Sequence, residues 1–105
     1  MSEIAFARRT EALDHVSLAL ARLERVQIRW RRYADTRHFA DAAQPVEMIL
    51  RTANNILARP TDAHLADIGR MLPGAITALR KIDRDELRAV IENIQAAHDA
   101  VFDRQ

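Results

Sequence analysis

The sequence predicts an all-α protein, a four-helix antiparallel bundle with a long first helix and a Pro-kinked third helix. The chain of 105 residues contains 19 Ala, 10 Leu and 15 Arg, which favour helices, against only two Gly. Its apolar residues recur at spacings of three and four, the period of an amphipathic helix. No segment alternates strictly between apolar and polar residues, so no strand is expected.

The first helix is predicted over residues 3–33, a stretch without Gly or Pro. Asp35, Thr36 and Asp41 can form local hydrogen bonds to the backbone, so a break or short turn is expected across residues 34–44. The extra length of this helix would have to be solvated, folded back or buried against another copy. Its apolar stripe consists of Leu13, Val16, Leu20, Leu23, Val26, Trp30 and Tyr33.

The second and third helices are separated by a proline. The second is predicted over residues 45–59, because Pro suits the first helical position, where no N–H is needed. The third is predicted from a cap at Thr61 or Asp62 to Ile82. Its apolar phase continues through Pro73, which favours one kinked helix over two short ones.

The last helix is predicted to open at a capping box. Asp83 is followed three residues later by Glu86, the spacing at which the two side chains can satisfy helix N-terminal N–H groups reciprocally. The apolar stripe that follows consists of Leu87, Val90, Ile91, Ile94, His98, Val101 and Phe102.

Composition limits the classes of function. Residues 1–105 suit a single domain, and the absence of Cys excludes disulfides and thiolate metal sites. The four His have no metal-clamp spacing, and no Gly-rich phosphate loop or nucleophile motif occurs. We therefore expect a non-enzymatic protein without a cofactor or metal. No apolar stretch is long enough for a membrane span, so a cytoplasmic location is expected.

Positive charge is concentrated in one segment, although the whole chain has a net charge of only +1. Residues 22–38 contain six Arg against Glu24 and Asp35, a local charge of +4. Four of the Arg fall on one helical face, which either faces solvent or contacts an anion or successive phosphates of a nucleic acid. These four are Arg22, Arg25, Arg29 and Arg32.

Two aromatic residues follow the apolar stripe into this basic segment. Trp30 and Tyr33 are either core residues or the seam of a dimer, since Trp, Tyr and Arg are enriched at interfaces. We expect a homodimer interface centred on Val26, Trp30 and Tyr33. The predicted function is a small protein–protein interaction module, an adaptor or binding partner of a larger protein. The alternative is a nucleic-acid-binding protein that uses the Arg face.

Two short patterns resemble known families. The spacings from Arg32 to His38 and from Arg59 to His64 resemble the motif of helical ribonucleases of the HEPN type, which would imply RNA cleavage. Tyr33 and Pro60 stand where these ribonucleases usually have a polar residue. His64 followed by Gly74-Ala75 resembles the phosphohistidine segment of histidine-phosphotransfer domains, which would imply phosphoryl transfer. The Lys and Gly that this family places after its His are absent. The sequence is assigned to neither family.

Overall fold

The computed structural model describes residues 3–59 and 65–102, with side chains described at 8–59 and 66–102. These residues form four α-helices and no strand, which confirms the predicted all-α bundle. The helices are α1 (Glu3–Arg31), α2 (Arg37–Ala58), α3 (Leu65–Ile82) and α4 (Arg88–Phe102). A 3-10 turn over Asp85–Leu87 leads directly into α4. With 29 residues, α1 is the longest of the four, as predicted.

The helices surround one apolar core in chain order. Each helix packs against the next, and α4 closes the ring by packing along α1. Arg22 of α1 bonds Asn93, whereas Trp30 bonds Glu86 just before α4. Trp30 follows Arg22 in the sequence, whereas Glu86, the partner of Trp30, precedes Asn93, the partner of Arg22. The two segments therefore run in opposite directions.

A buried stripe runs along α1, as the apolar pattern predicts. Its members alternate at spacings of four and three, so they share one helical face. They are Ala12, Val16, Ala19, Leu23, Val26 and Trp30. Leu13 and Leu20, which the sequence placed on this stripe, are only partly buried and pack beside it.

The break after α1 is shorter than predicted, and the predicted start of α2 at Pro45 is wrong. Helix α2 begins at Arg37, directly after a turn. The hydroxyl group of Thr36 closes this turn by donating a hydrogen bond to the carbonyl of Trp30, 2.7 Å away. Pro45 lies inside α2, where it leaves the carbonyl of Asp41 without a helical partner. Both residues are exposed, so water can bond that carbonyl.

Helix α3 passes through Pro73 without interruption, so residues 65–82 form one helix. Gly69, whose carbonyl would otherwise accept the missing hydrogen bond, lies against the ring of Phe102 in α4. A Cβ atom at Gly69 would be 3.2 Å from Cζ of that ring. The candidate caps Thr61 and Asp62, and also His64, lie outside the described residues.

The predicted capping box at Asp83 is also wrong. Asp83 adopts the left-handed conformation with φ of 59°, and its backbone N–H donates to the carbonyl of Leu79 to close the end of α3. Arg84 occupies the N-cap position of the 3-10 turn, and its side chain makes no capping hydrogen bond there. Glu86 instead accepts hydrogen bonds from Arg84 and Trp30.

None of the helices in the described part of the chain is both long and apolar enough to cross a membrane.

Candidate interaction surface

The structure separates the three residues expected to form a dimer seam. Val26 is 7% exposed and Trp30 only 2% exposed, because both belong to the core of the chain itself. Tyr33 follows the end of α1 and is 60% exposed. Only Tyr33 is therefore available at the surface, and the three do not form one patch.

Trp30 is held by a polar and aromatic cluster at the end of the bundle. Its indole N–H donates to Oε2 of Glu86 at 3.2 Å, and its ring centroid lies 5.5 Å from that of Phe39. The Arg84 guanidinium lies 4.8 Å from the Phe39 centroid, a cation–π contact. The cluster joins α1, α2 and the segment before α4.

Glu86 is the hub of this cluster. Both of its carboxylate oxygens accept hydrogen bonds from Arg84, at 3.1 and 3.0 Å, a two-pronged arrangement typical of Arg–carboxylate pairs. The hydrogen bond from Arg84 is the largest of the effects that lower the pKa of Glu86 to about 2. The same hydrogen bond raises the pKa of Arg84. These roles of Glu86 and Arg84 were not predicted from the sequence, because the spacing of Asp83 and Glu86 also fits a helix cap.

The predicted Arg face is exposed along its whole length. Arg22 alone has a partner, donating a hydrogen bond to Oδ1 of Asn93 in α4. Among the residues whose side chains the structure describes, Arg25, Arg29 and Arg32 meet no carboxylate. They are exposed cations, although the sequence placed acidic residues within a few positions of them.

Some arginines on other helices have carboxylate partners, whereas Arg37 of α2 and Arg80 of α3 have none among the described residues. Arg51 of α2 forms ion pairs with Glu24 and Glu47. On α3, Arg70 pairs with Asp67 at 2.6 Å. Arg25, Arg29 and Arg32 lie together on one side of α1 and its end, and their charge is not compensated within the described residues.

Apolar side chains lie on the same surface. Leu18 is 43% exposed and Ile28 is 58% exposed, each among the large apolar residues left outside the core. They belong to an outer stripe whose members are spaced alternately by three and four residues and are all exposed. The outer stripe consists of Glu11, Asp14, Leu18, Ala21, Arg25, Ile28 and Arg32. It lies on the side of α1 away from the buried stripe.

A shallow groove separates α2 from α3. It is open to solvent, has a volume of about 430 Å³ and is mainly apolar, with Lys81 at its edge. Its other lining residues are His38, Phe39, Ala42, Ala78 and Ile82. Within the described ranges, no three metal-binding side chains come together.

The fold and surface define a small helical bundle with an uncovered basic and apolar face on its longest helix. Comparison with protein-family models, curated proteins and solved structures found no match.

Proposed function

We propose that the protein is a small non-catalytic interaction module, homodimeric and acting as an adaptor or binding partner of a larger protein. The outer stripe of α1 is its binding surface, in place of the seam expected at Val26, Trp30 and Tyr33. Residues that carry the core of a bundle cannot also insert into a partner without opening the bundle.

One observation supports this assignment. Arg25, Arg29 and Arg32 are exposed and meet no carboxylate among the described side chains, and they lie near Leu18 and Ile28, which are apolar and exposed. Desolvating Leu18 and Ile28 against a partner would stabilise a complex, whereas the Arg would speed encounter and set orientation. A surface of mixed apolar and charged groups is also typical of the interfaces of non-obligate protein complexes.

The test is self-association measured by analytical ultracentrifugation. Because the apolar area is small, we expect a dimer with a dissociation constant on the order of 10 µM. Leu18→Gln should shift the equilibrium to monomer, and Ile28→Gln should do so less strongly. Met48→Gln is the matched control, since Met48 is 59% exposed but lies on α2.

A chain that stays monomeric up to about 500 µM, a concentration at which weak but specific dimers form, would contradict the proposal. Equal loss of association in Leu18→Gln and Met48→Gln would also contradict it, because the outer stripe would then have no special role.

Nucleic-acid binding is the second candidate, and the unpaired Arg are the observation that favours it. If successive phosphates contact the Arg face, affinity for duplex DNA or for RNA should fall steeply with salt. Arg29→Gln should then reduce the slope of log K against log salt by about 1. Arg70→Gln is the control, because Arg70 is exposed on α3 and paired with Asp67. Absence of binding at low ionic strength would remove this candidate.

A further inference from the structure

The charge on the outer stripe changes sign along the helix. Glu11 and Asp14 lie in the N-terminal half of α1, whereas Arg25 lies in its C-terminal half and Arg32 directly follows its end. Arg29 lies beside the stripe, one turn after Arg25. None of these five residues forms an ion pair with another part of the chain whose side chains are described.

Between the two charged ends lies an uncharged centre. Leu18 and Ala21 occupy it, and both are exposed. Asp14 and Arg25 flank this centre and are separated by about 16 Å along the axis, at a rise of ~1.5 Å per residue. The stripe is therefore acidic at one end, apolar in the middle and basic at the other end.

We infer that the partner of this surface is a second copy of the chain, packed with its α1 antiparallel to the first; this inference rests on the proposed function. In this arrangement a two-fold axis passes midway between Leu18 and Ala21, so that the two apolar centres meet. Asp14 of each copy then lies opposite Arg25 of the other, and Glu11 opposite Arg29.

Charge complementarity selects this occupant and this direction. A parallel pair would place Arg25 against Arg25 and Asp14 against Asp14, and like charges held face to face are repelled. An acidic protein or a nucleic acid would match the basic end but would meet Glu11 and Asp14 at the other. A second antiparallel copy matches both ends at once, and a two-fold axis repeats every favourable pair.

The small apolar area and the exposed ion pairs of this interface predict a weak, salt-sensitive dimer. Leu18 and Ala21 bury little apolar area, so the exposed ion pairs contribute much of the affinity. Pairs of this kind are screened over about 8–10 Å at physiological salt. Raising the salt concentration should therefore weaken the dimer, whereas an interface dominated by apolar contacts would strengthen or stay unchanged.

Charge reversal in the full-length chain tests the pairing. Glu11→Arg with Asp14→Arg, and separately Arg25→Glu with Arg29→Glu, should each weaken self-association roughly 30-fold or more in sedimentation, since several opposite-charge pairs become like-charge pairs. All four substitutions in one chain should restore the dimer. The two double variants mixed together should form a heterodimer. Circular dichroism at each step verifies that these exposed substitutions leave the helices folded.

Cross-linking tests the register independently. The chain contains no Cys, so a single introduced Cys reports only the interface. Ala21→Cys should form a disulfide-linked dimer under mild oxidation, because the axis brings the two copies of this position close together. Met48→Cys, which is also exposed but lies on α2, should not form a disulfide-linked dimer.

The outcomes separate this inference from the proposed function. Suppose that the wild type dimerises and that Leu18→Gln weakens the dimer, but that both double charge variants dimerise as tightly as the wild type. The outer stripe is then supported as the binding surface, and antiparallel self-pairing is overturned. Failure of Ala21→Cys to cross-link more than Met48→Cys overturns it as well. A wild-type chain that never associates overturns both proposals.

Discussion

The indole N–H of Trp30 donates a hydrogen bond to Oε2 of Glu86, 3.2 Å away, and joins the last turn of α1 to the 3-10 turn that leads into α4. Arg84 donates hydrogen bonds to both oxygens of the same carboxylate and lies over the ring of Phe39. Because Trp30 is almost fully buried, its N–H has few other groups to bond. Glu86 therefore orients the largest side chain of the core.

Removing the Glu86 carboxylate should destabilise the fold. Glu86→Ala leaves the Trp30 N–H without its acceptor and Arg84 without its carboxylate, at a cost of about 1–2 kcal/mol in the free energy of unfolding. Glu92→Ala is the control, since Glu92 is exposed on α4. Urea denaturation measures both, and equal effects of the two substitutions would contradict the role of Glu86.

Acid should weaken the same contact. The hydrogen bond from Arg84 lowers the pKa of Glu86 from 4.5 to about 2, so the folded state favours the ionised carboxylate. A lowered folded-state pKa contributes stability that is present above the unfolded value and is lost as pH falls toward the folded one. We expect the unfolding free energy to decrease between pH 4.5 and about 2. Glu86→Gln should decrease less over this range, and an identical decrease in the two proteins would contradict the expectation.

The left-handed residue after α3 should tolerate glycine well. Asp83 has φ of 59°, a conformation that costs a side-chain-bearing residue energy and costs Gly little. Asp83→Gly should raise the unfolding free energy by about 0.5–1 kcal/mol. Asp85→Gly, in the exposed first position of the 3-10 turn with negative φ, should not stabilise. Thermal denaturation decides between them, and stabilisation by both or by neither would contradict this explanation.

The two glycines of α3 should respond differently to alanine. No atom outside the local helix lies within 4 Å of a Cβ placed at Gly74, so Gly74→Ala should stabilise by up to about 1 kcal/mol through helix propensity. At Gly69 the added methyl meets the Phe102 ring at 3.2 Å, which offsets that gain. Gly69→Ala should therefore stabilise less than Gly74→Ala, or destabilise. A larger gain at Gly69 in thermal denaturation would refute the packing argument.

A buried amide on α1 offers another route to stability. Gln27 is almost fully buried, its Oε1 atom has no hydrogen-bond partner among the described residues, and its amide nitrogen donates only a long bond to the carbonyl of Ala40 at 3.4 Å. Gln27→Met keeps the shape of the side chain and removes the unpaired polar atom. We expect a gain of about 1 kcal/mol in chemical denaturation. A loss of similar size would show that the bond to Ala40 contributes more than its length indicates.

Much of the α1 architecture is readable from spacing alone. Residues three and four apart must share a helical face, so the stripe through Val16, Leu23 and Trp30 is predictable without coordinates. The continuous α3 was also favoured, because the apolar phase does not change at Pro73. The start of α2 was not predictable in the same way. Pro45 is compatible both with the first position of a helix and with an exposed position inside one. Ala40 and Ala43 are buried in the core, and the helix that carries them begins before Pro45.

The candidate site was less predictable. The apolar pattern shows that Trp30 faces inward, but not whether its partners belong to the same chain or to another copy. Glu86 supplies the acceptor for its indole N–H from more than fifty positions away in the sequence, and such a distant pairing leaves no periodic signal. Spacing likewise places the Arg on one face without showing which of them find carboxylates.

By itself, the sequence determined the helical class, the number of helices, the long first helix and the face that each helix buries, because these follow from local propensity and periodicity. Tertiary structure alone decided that Trp30 is covered within the chain, that Glu86 bonds it instead of capping a helix, and that Arg25, Arg29 and Arg32 meet no carboxylate in the described part of the chain. These outcomes depend on which distant side chains meet when the helices dock, and the energies of such contacts are not encoded in any one segment.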